Sequence, residues 1–173
     1  MKCAFYPSPY GLVKIGCEDG KIVCVQCVNT QNINEPTEPN ESDEPDEPDE
    51  PTELSDMAYR QLLEYFDGKR QSFELPVKLS GTEFQTAVWR ELQKIPYGET
   101  RSYKDIAEAV GRPKAYRAVG MANHNNPIWI IVPCHRVVGA DGSMVGYAGG
   151  INIKRDLLEL EKRYKGYGDC KPC

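Results

Sequence analysis

The chain has 173 residues, 40% of them hydrophobic, enough to bury one full-sized core or a smaller pair of lobes and little more. No apolar run approaches the ~18 residues of a membrane span, and Met1-Lys2-Cys3-Ala4-Phe5-Tyr6-Pro7 lacks the long apolar stretch of a secretory signal, so a soluble globular protein is expected. The net charge of −5 conceals two unlike parts: residues 35–53 hold ten acidic and no basic side chains, so the remainder carries +5, compatible with a polyanion partner but too weak to predict one.

The first thirty residues alternate and turn. Asp19-Gly20 lies between the β-branched runs Leu12-Val13-Lys14-Ile15 and Ile22-Val23-Cys24-Val25, a hairpin signal because the turn needs positive φ, and a small antiparallel sheet is expected. Residues 35–52 form a Pro-punctuated acidic tract that cannot bury enough apolar surface to offset the entropy of ordering it; an extended, disordered insertion is expected, with nucleic-acid mimicry as the functional alternative to a solvated linker. Order resumes with Ser55 as a candidate N-cap and a helix through Met57 and Phe66, closed by Gly68; a strand over residues 73–77 follows. Thr82-Glu83-Phe84-Gln85 fits a capping box opening a helix through Val88, Trp89 and Leu92.

Ser102 caps a predicted helix from Tyr103 to Val110 that Gly111 ends, and a second helix runs from about Ala115 to His124. Two short helices across a tight turn read as a helix-turn-helix or an ordinary αα-hairpin, and pattern alone does not choose. The small residues of the second helix would let its backbone approach another surface closely, either DNA or a neighbouring helix. The apolar run Ile128-Trp129-Ile130-Ile131-Val132 reads as a buried strand, ending at Pro133-Cys134-His135-Arg136-Val137.

Seven cysteines is an odd count, so any disulfide scheme leaves one unpaired, and a free reactive thiol is permitted. A cysteine attacks only as its thiolate, and an ordinary pKa of about 8.5 leaves a few per cent ionised at neutral pH, so Cys134 needs help. His135 adjoins it, but in extended chain the two side chains point to opposite faces; a water relay or a sharp turn at Pro133 would join them. The last predicted helix, from Asn152 to Tyr164, offers Asp156, Glu159 and Glu161 to orient the imidazole, and spacing does not choose among them. The bland alternative is an inert core cysteine.

Arg117-Ala118-Val119-Gly120, Asn126-Pro127, Pro133-Cys134-His135-Arg136-Val137-Val138, and Tyr147 with Gly149-Gly150 resemble the O6-alkylguanine-DNA alkyltransferases, the methylated-DNA-protein-cysteine methyltransferase family. The resemblance runs from about Phe84 to Glu161; the N-terminal sheet matches only in general layout. It implies an α/β (α+β) fold: an N-terminal mixed lobe over residues 1–79, a helical DNA-binding and alkyl-acceptor lobe over residues 80–165, and a tail over 166–173. It also implies single-turnover repair of double-stranded DNA containing O6-alkylguanine, in which a flipped guanine gives its alkyl group to Cys134. By the same resemblance His135 is the water-relayed base, Glu161 its orienting carboxylate, Asn126 the brace of the site, and Tyr103 the hydroxyl that supports the departing guanine. Arg117 is the finger that fills the vacated stack, while Ala115, Ala118, Gly120 and Ala122 let the helix enter the minor groove. Val137, Tyr147, Ala148, Trp129 and Pro133 surround the base.

No cofactor, metal or membrane partner is implied, and a monomer is expected, cytoplasmic in a prokaryote and nuclear in a eukaryote. Trp129 stands where relatives often carry proline or serine. Cys24-Val25-Gln26-Cys27 and Cys170-Lys171-Pro172-Cys173 have ligand-like spacing, but strand pairing would send Cys24 and Cys27 to opposite faces, so zinc is not expected. Two rival functions remain: a non-catalytic alkyltransferase-like lesion binder, which the presence of Cys134 opposes, and a helix-turn-helix regulator with an inert thiol.

Overall fold

A computed structural model describes residues 1–28 and 49–166. Most of the acidic tract, residues 35–48, and the Cys170 and Cys173 pair lie outside the described residues. The fold is mixed α/β. Strands β1 (Lys2–Ser8), β2 (Gly11–Glu18) and β3 (Lys21–Val28) form an antiparallel sheet in that order. The expected hairpin is present: Asp19 (φ 50°) and Gly20 (φ 71°) both occupy the left-handed region, which the turn requires. Strand β1 was not legible as a strand, since Pro7 interrupts its pattern; it pairs as an edge strand with Gly11 to Cys17 of β2.

Helix α1 (Glu53–Phe66) starts earlier than expected. Its N-cap is Thr52, whose hydroxyl accepts from the Ser55 backbone N–H at 3.1 Å, while the Ser55 hydroxyl accepts from the Thr52 N–H at 2.8 Å. Ser55 is therefore the third residue of a capping box rather than the cap, a device stabilising a helix start by about 1 kcal/mol. The end of the acidic tract is fastened too: Asp49 accepts from the Cys3 N–H through its carboxylate at 2.8 Å and donates its own N–H to the Cys3 carbonyl at 2.9 Å. Residues 73–77 give no strand, only one bridge between Val77 and Ile22.

The second half is helical. Helix α2 (Glu83–Leu92) carries the expected Thr82–Gln85 capping box, and α3 (Tyr103–Ala109) is capped by Ser102. Gly111 (φ 74°) turns the chain toward α4 (Tyr116–His124), so α3 and α4 form the tight helix pair. Two short strands, β4 (Arg101–Ser102) and β5 (Val137–Val138), pair in parallel, and α5 (Ile151–Tyr164) closes the fold. One hydrophobic core runs through both halves, from Val13, Ile15 and Val25 of the sheet through Leu62 and Tyr65 to Trp89, Ile128 and Leu157.

Residues 128–132 are buried as expected but are not a strand. Ile128 makes one bridge to Val25, after which the chain turns, with Ile130 at φ 65°. A β-branched residue there costs on the order of 1–3 kcal/mol, and the neighbouring bonds hold it: Val25 N–H to Pro127 O at 2.8 Å, Trp129 N–H to Val25 O at 2.7 Å, and Val132 N–H to Ile128 O at 3.0 Å. An apolar run signals burial equally for a strand and for a turn sealed in the core.

Candidate active site

Pro133 (φ −82°, ψ 65°) ends the buried turn, and Cys134, His135 and Arg136 follow as a single 3₁₀ turn, all three buried. A 3₁₀ turn rotates successive side chains by about 120°, so thiol, imidazole and guanidinium reach three different surroundings from consecutive positions.

The thiol faces Asn126. The Asn126 amide donates to the Cys134 Sγ at 3.1 Å and to the Val132 carbonyl at 2.8 Å, while its oxygen accepts from the Ile128 N–H at 3.0 Å. Asn126 thus ties both ends of the buried turn to the sulfur. Burial raises the thiol pKa; the Asn126 hydrogen bond and the Lys154 charge offset part of that rise.

The imidazole faces the other way. His135 Nε2 lies 2.7 Å from Glu161 Oε1, with both side chains fully buried. Of the three candidate carboxylates on α5, Asp156 and Glu159 are exposed and only Glu161 turns inward. Burial pushes the Glu161 carboxyl up, but the hydrogen bonds and charges of His135 and Arg136 outweigh it and hold the group well below the ordinary carboxylate range. An ionised carboxylate only accepts, so Nε2 carries the hydrogen. Burial lowers the His135 pKa despite the opposing pull of Glu161, so the ring is neutral and its lone pair is on Nδ1. Among the described residues that buried Nδ1 has no hydrogen-bond partner, so the ring makes no direct bond to the sulfur, and the turn at Pro133 does not by itself join the two.

Three residues of this cluster had no predicted role. Arg136 donates from Nε and Nη2 to Glu161 at 2.9 Å each and from Nη1 to the Ile95 carbonyl at 2.7 Å. Tyr65, from α1, donates its hydroxyl to Glu161 Oε1 at 2.7 Å. Lys154 is 1% exposed and donates to the Val137 carbonyl at 2.6 Å. The signal for Lys154 was present: with Leu157 and Glu161 it occupies positions i, i+3 and i+7 of α5, polar residues on the helix's core stripe.

The remaining predicted residues divide into two groups. Tyr103, Arg117 and Gly120 line a groove of about 310 Å³ together with Tyr116, Val145 and Gly146. The Tyr103 hydroxyl donates to the Val145 carbonyl at 2.9 Å, with Lys154 Nζ 3.5 Å away. Arg117 and Ala118 are exposed on α4 and Ala115 is half-buried, but Ala122 is not on that face: at 1% exposure it packs inward beside Val119, and its carbonyl accepts from the Trp89 indole at 2.8 Å. The helical period places Ala122 on the core side, and this corrects its assignment to the exposed surface. Of the residues expected to surround the base, Val137 is fully buried, Ala148 is exposed, and the half-buried Tyr147 lies at a tilt to Trp129, ring centroids 6.4 Å apart. Trp129 is itself 5% exposed, packed in the core. Cys24 is buried and Cys27 less so, on opposite sheet faces; among the described residues no cluster of three or more His, Cys, Asp or Glu side chains could hold a metal.

Fold and site together define a class: an α/β protein that holds a buried thiol, an imidazole–carboxylate pair and a tight helix pair with an exposed arginine within one core. Comparison with known proteins narrows this. Residues 1–79 match the ribonuclease-like domain of 6-O-methylguanine DNA methyltransferase and residues 83–163 match its DNA-binding domain. The methylated-DNA–protein-cysteine methyltransferase of Methanosarcina barkeri is 59% identical over 105 residues, 61% of this chain and 66% of that protein; its Mycobacterium bovis counterpart is 60% identical over 105 residues, 61% and 64%. The aligned chain therefore spans just under two thirds of these relatives. A crystal structure of Mycobacterium tuberculosis OGT in complex with DNA superposes with a TM-score of 0.80 at 40% identity, covering 95% of this chain and 94% of that one. The chain belongs to the 6-O-methylguanine DNA methyltransferase family.

Proposed function

We propose that this protein repairs O6-alkylguanine in duplex DNA by moving the alkyl group to Cys134. The observation that carries the reading is the buried Cys134 thiol, hydrogen-bonded by Asn126 and flanked by a neutral His135 whose Nε2 is held by Glu161 at 2.7 Å. The thiol proton passes through a water to His135 Nδ1, and Glu161 stabilises the imidazolium. The thiolate attacks the alkyl carbon in line with O6: the S–C bond forms, the C–O6 bond breaks, and the electron pair leaves with guanine, which regains one proton overall. Tyr103 supports that departure by exchanging its Val145 carbonyl for the base. Its phenol, raised in pKa by burial and then by Cys134, remains a donor.

Access requires an extrahelical base, since Cys134 is 4% exposed. Arg117 enters the stack and the exposed face of α4 enters the minor groove, with Ala115, Ala118 and Gly120 allowing close approach. Val137, Tyr147, Ala148, Trp129 and Pro133 bound the base. The matched family spans support a division into residues 1–79 as a scaffold and 80–165 as the DNA-binding and acceptor lobe. Among the described residues no helix is long and apolar enough to cross a membrane. The reading puts the protein with the genome, in prokaryotic cytoplasm or a eukaryotic nucleus.

The test is direct. After incubation with duplex DNA carrying O6-methylguanine, the peptide bearing Cys134 is expected to gain one methyl group, and the Cys134→Ala variant to leave the lesion intact. An unmodified peptide at full lesion binding rejects the proposal.

A further inference from the structure

We propose that Tyr65, contributed by the N-terminal helix α1, is a positioning residue for alkyl transfer: its hydroxyl holds Glu161 and thereby sets how readily His135 takes a proton. This rests on the reading above and extends it to a residue 69 positions before Cys134 in the chain.

Tyr65 is fully buried, and its hydroxyl donates to Glu161 Oε1 at 2.7 Å, the same oxygen that receives His135 Nε2 at 2.7 Å. The hydroxyl also lies 3.4 Å from Nε2 itself. Burial and then the Glu161 charge raise the phenol well above its ordinary pKa, so it stays protonated and remains a donor. The ring has no room to turn away, since Phe66, Phe73 and Tyr97 surround it with centroids 5.8, 5.6 and 6.1 Å distant. Packing alone would be met by phenylalanine; the hydroxyl does something packing does not need.

Its effect on His135 has a definite sign. The groups around the imidazole are Glu161 and Lys154 from α5, Arg136 and Cys134 from its own turn, and Tyr65 from α1, with Tyr97 beyond Glu161. Only Glu161 favours imidazolium among the charged groups, and each hydrogen bond donated to Oε1 disperses its negative charge. Removing the Tyr65 hydroxyl concentrates that charge against Nε2–H, favours the protonated ring, and moves the His135 titration upward. Since a transfer-competent ring must be neutral, the acid limb of the transfer rate moves up with it.

The experiment compares the full chain with Tyr65→Phe and with 3-fluorotyrosine at position 65, which keeps the ring and makes the hydroxyl a stronger donor. Two quantities are read across pH: the His135 ring ¹⁵N shifts of the free protein, and the single-turnover rate on O6-methylguanine duplex. Tyr65→Phe is expected to raise the His135 midpoint and the acid limb by about 0.5 to 1 unit, and 3-fluorotyrosine to move both down. Unchanged midpoints in both variants overturn the inference, and shifts of the same sign in both overturn it as well. If Tyr65→Phe fails to fold, the fluorinated protein alone decides by the direction of its shift. A wild-type chain that transfers no methyl group defeats the functional reading, while the ¹⁵N titration still decides the role of Tyr65.

Discussion

Replacing Glu161 by glutamine tests the centre of the site. The carboxylate is fully buried and accepts from His135 Nε2, the Tyr65 hydroxyl, the Arg136 guanidinium and the Gly98 N–H, the last at 3.0 Å. Glutamine keeps the volume but presents one accepting oxygen and one donating nitrogen, so one set of donors must face a donor. It also leaves Arg136, 7% exposed, charged without its counterion. Breaking a buried pair in this way costs about 3–5 kcal/mol, a large share of the roughly 5–15 kcal/mol that holds a domain folded. With a urea slope of about 2 kcal/mol per molar, the unfolding midpoint at pH 7 is expected to fall by about 2 M. The pH dependence carries a sign. The folded carboxyl titrates below the unfolded value of about 4.3, so its contribution is complete above that value and is lost as the pH falls through the folded one. Urea titrations from pH 7 down to 3 should show wild type losing stability on the acid side more steeply than Glu161→Gln. Equal midpoints at pH 7, or parallel acid losses, would refute this account of the cluster.

Two further substitutions separate fold from function. Arg117→Ala removes an exposed side chain whose guanidinium lies 6.0 Å from the Tyr116 ring centre, so unfolding should be unaffected. If Arg117 fills the vacated stack, transfer from duplex O6-methylguanine should slow by tenfold or more (about 1.4 kcal/mol) while transfer from single-stranded DNA is spared; equal losses on both substrates would remove its role in flipping. Asn126→Ala strands the Ile128 N–H and the Val132 carbonyl and withdraws the donor from Cys134 Sγ. Stability should drop by about 2–4 kcal/mol in urea unfolding, and iodoacetamide should label Cys134 more slowly at a given pH, because the thiol loses a bond that favours its anion. Faster labelling in a variant that remains folded would contradict the assigned hydrogen bond.

What was legible in the sequence was local. Asp19-Gly20, Thr82 with Gln85, and Ser102 before Tyr103 each satisfy backbone groups within three residues, so their chemistry is written beside the place where it acts. Residues 128–132 misled because burial was legible and conformation was not: the positive φ of Ile130 is enforced by Val25 and Asn126, which lie outside the run. The α1 N-cap falls at Thr52, inside the acidic tract, because Asp49 and Thr52 at the tract's end find partners in the sheet and the helix that composition alone does not reveal. The Pro-Cys-His-Arg stretch itself pointed to Cys134 and His135, the resemblance added Asn126 and chose Glu161 among three carboxylates, and the structure brings these four together. The resemblance gave no hint of Tyr65, because the bond to Glu161 joins residues 96 positions apart and requires the two halves to be docked. Lys154 and Arg136 were visible as residues but not as partners: a lysine on an apolar stripe signals a buried acceptor without saying which one.

The electrostatics of the site also bear on why such a protein would act once. Burial leaves Cys134 a poorer acid than a free thiol, and burial likewise keeps His135 neutral, so the resting pair is uncharged. Proton transfer from sulfur to imidazole creates two charges inside the core. The surroundings are arranged for both: Asn126 and Lys154 favour the thiolate, and Glu161 favours the imidazolium. Arg136 restrains the second effect by neutralising Glu161, so the ion pair forms only at some cost and the thiol is not left permanently ionised and exposed to adventitious oxidation. Once the alkyl group has moved, the proposed product is a thioether with no ionisable hydrogen, and every interaction that favoured the thiolate loses its object. Asn126 then faces a larger, neutral sulfur that is a weaker acceptor than the thiolate, in a space with Cys134 only 4% exposed, so alkylation introduces both a weakened hydrogen bond and added volume at the foot of α4. The same close packing that conditions the thiol therefore opposes its product.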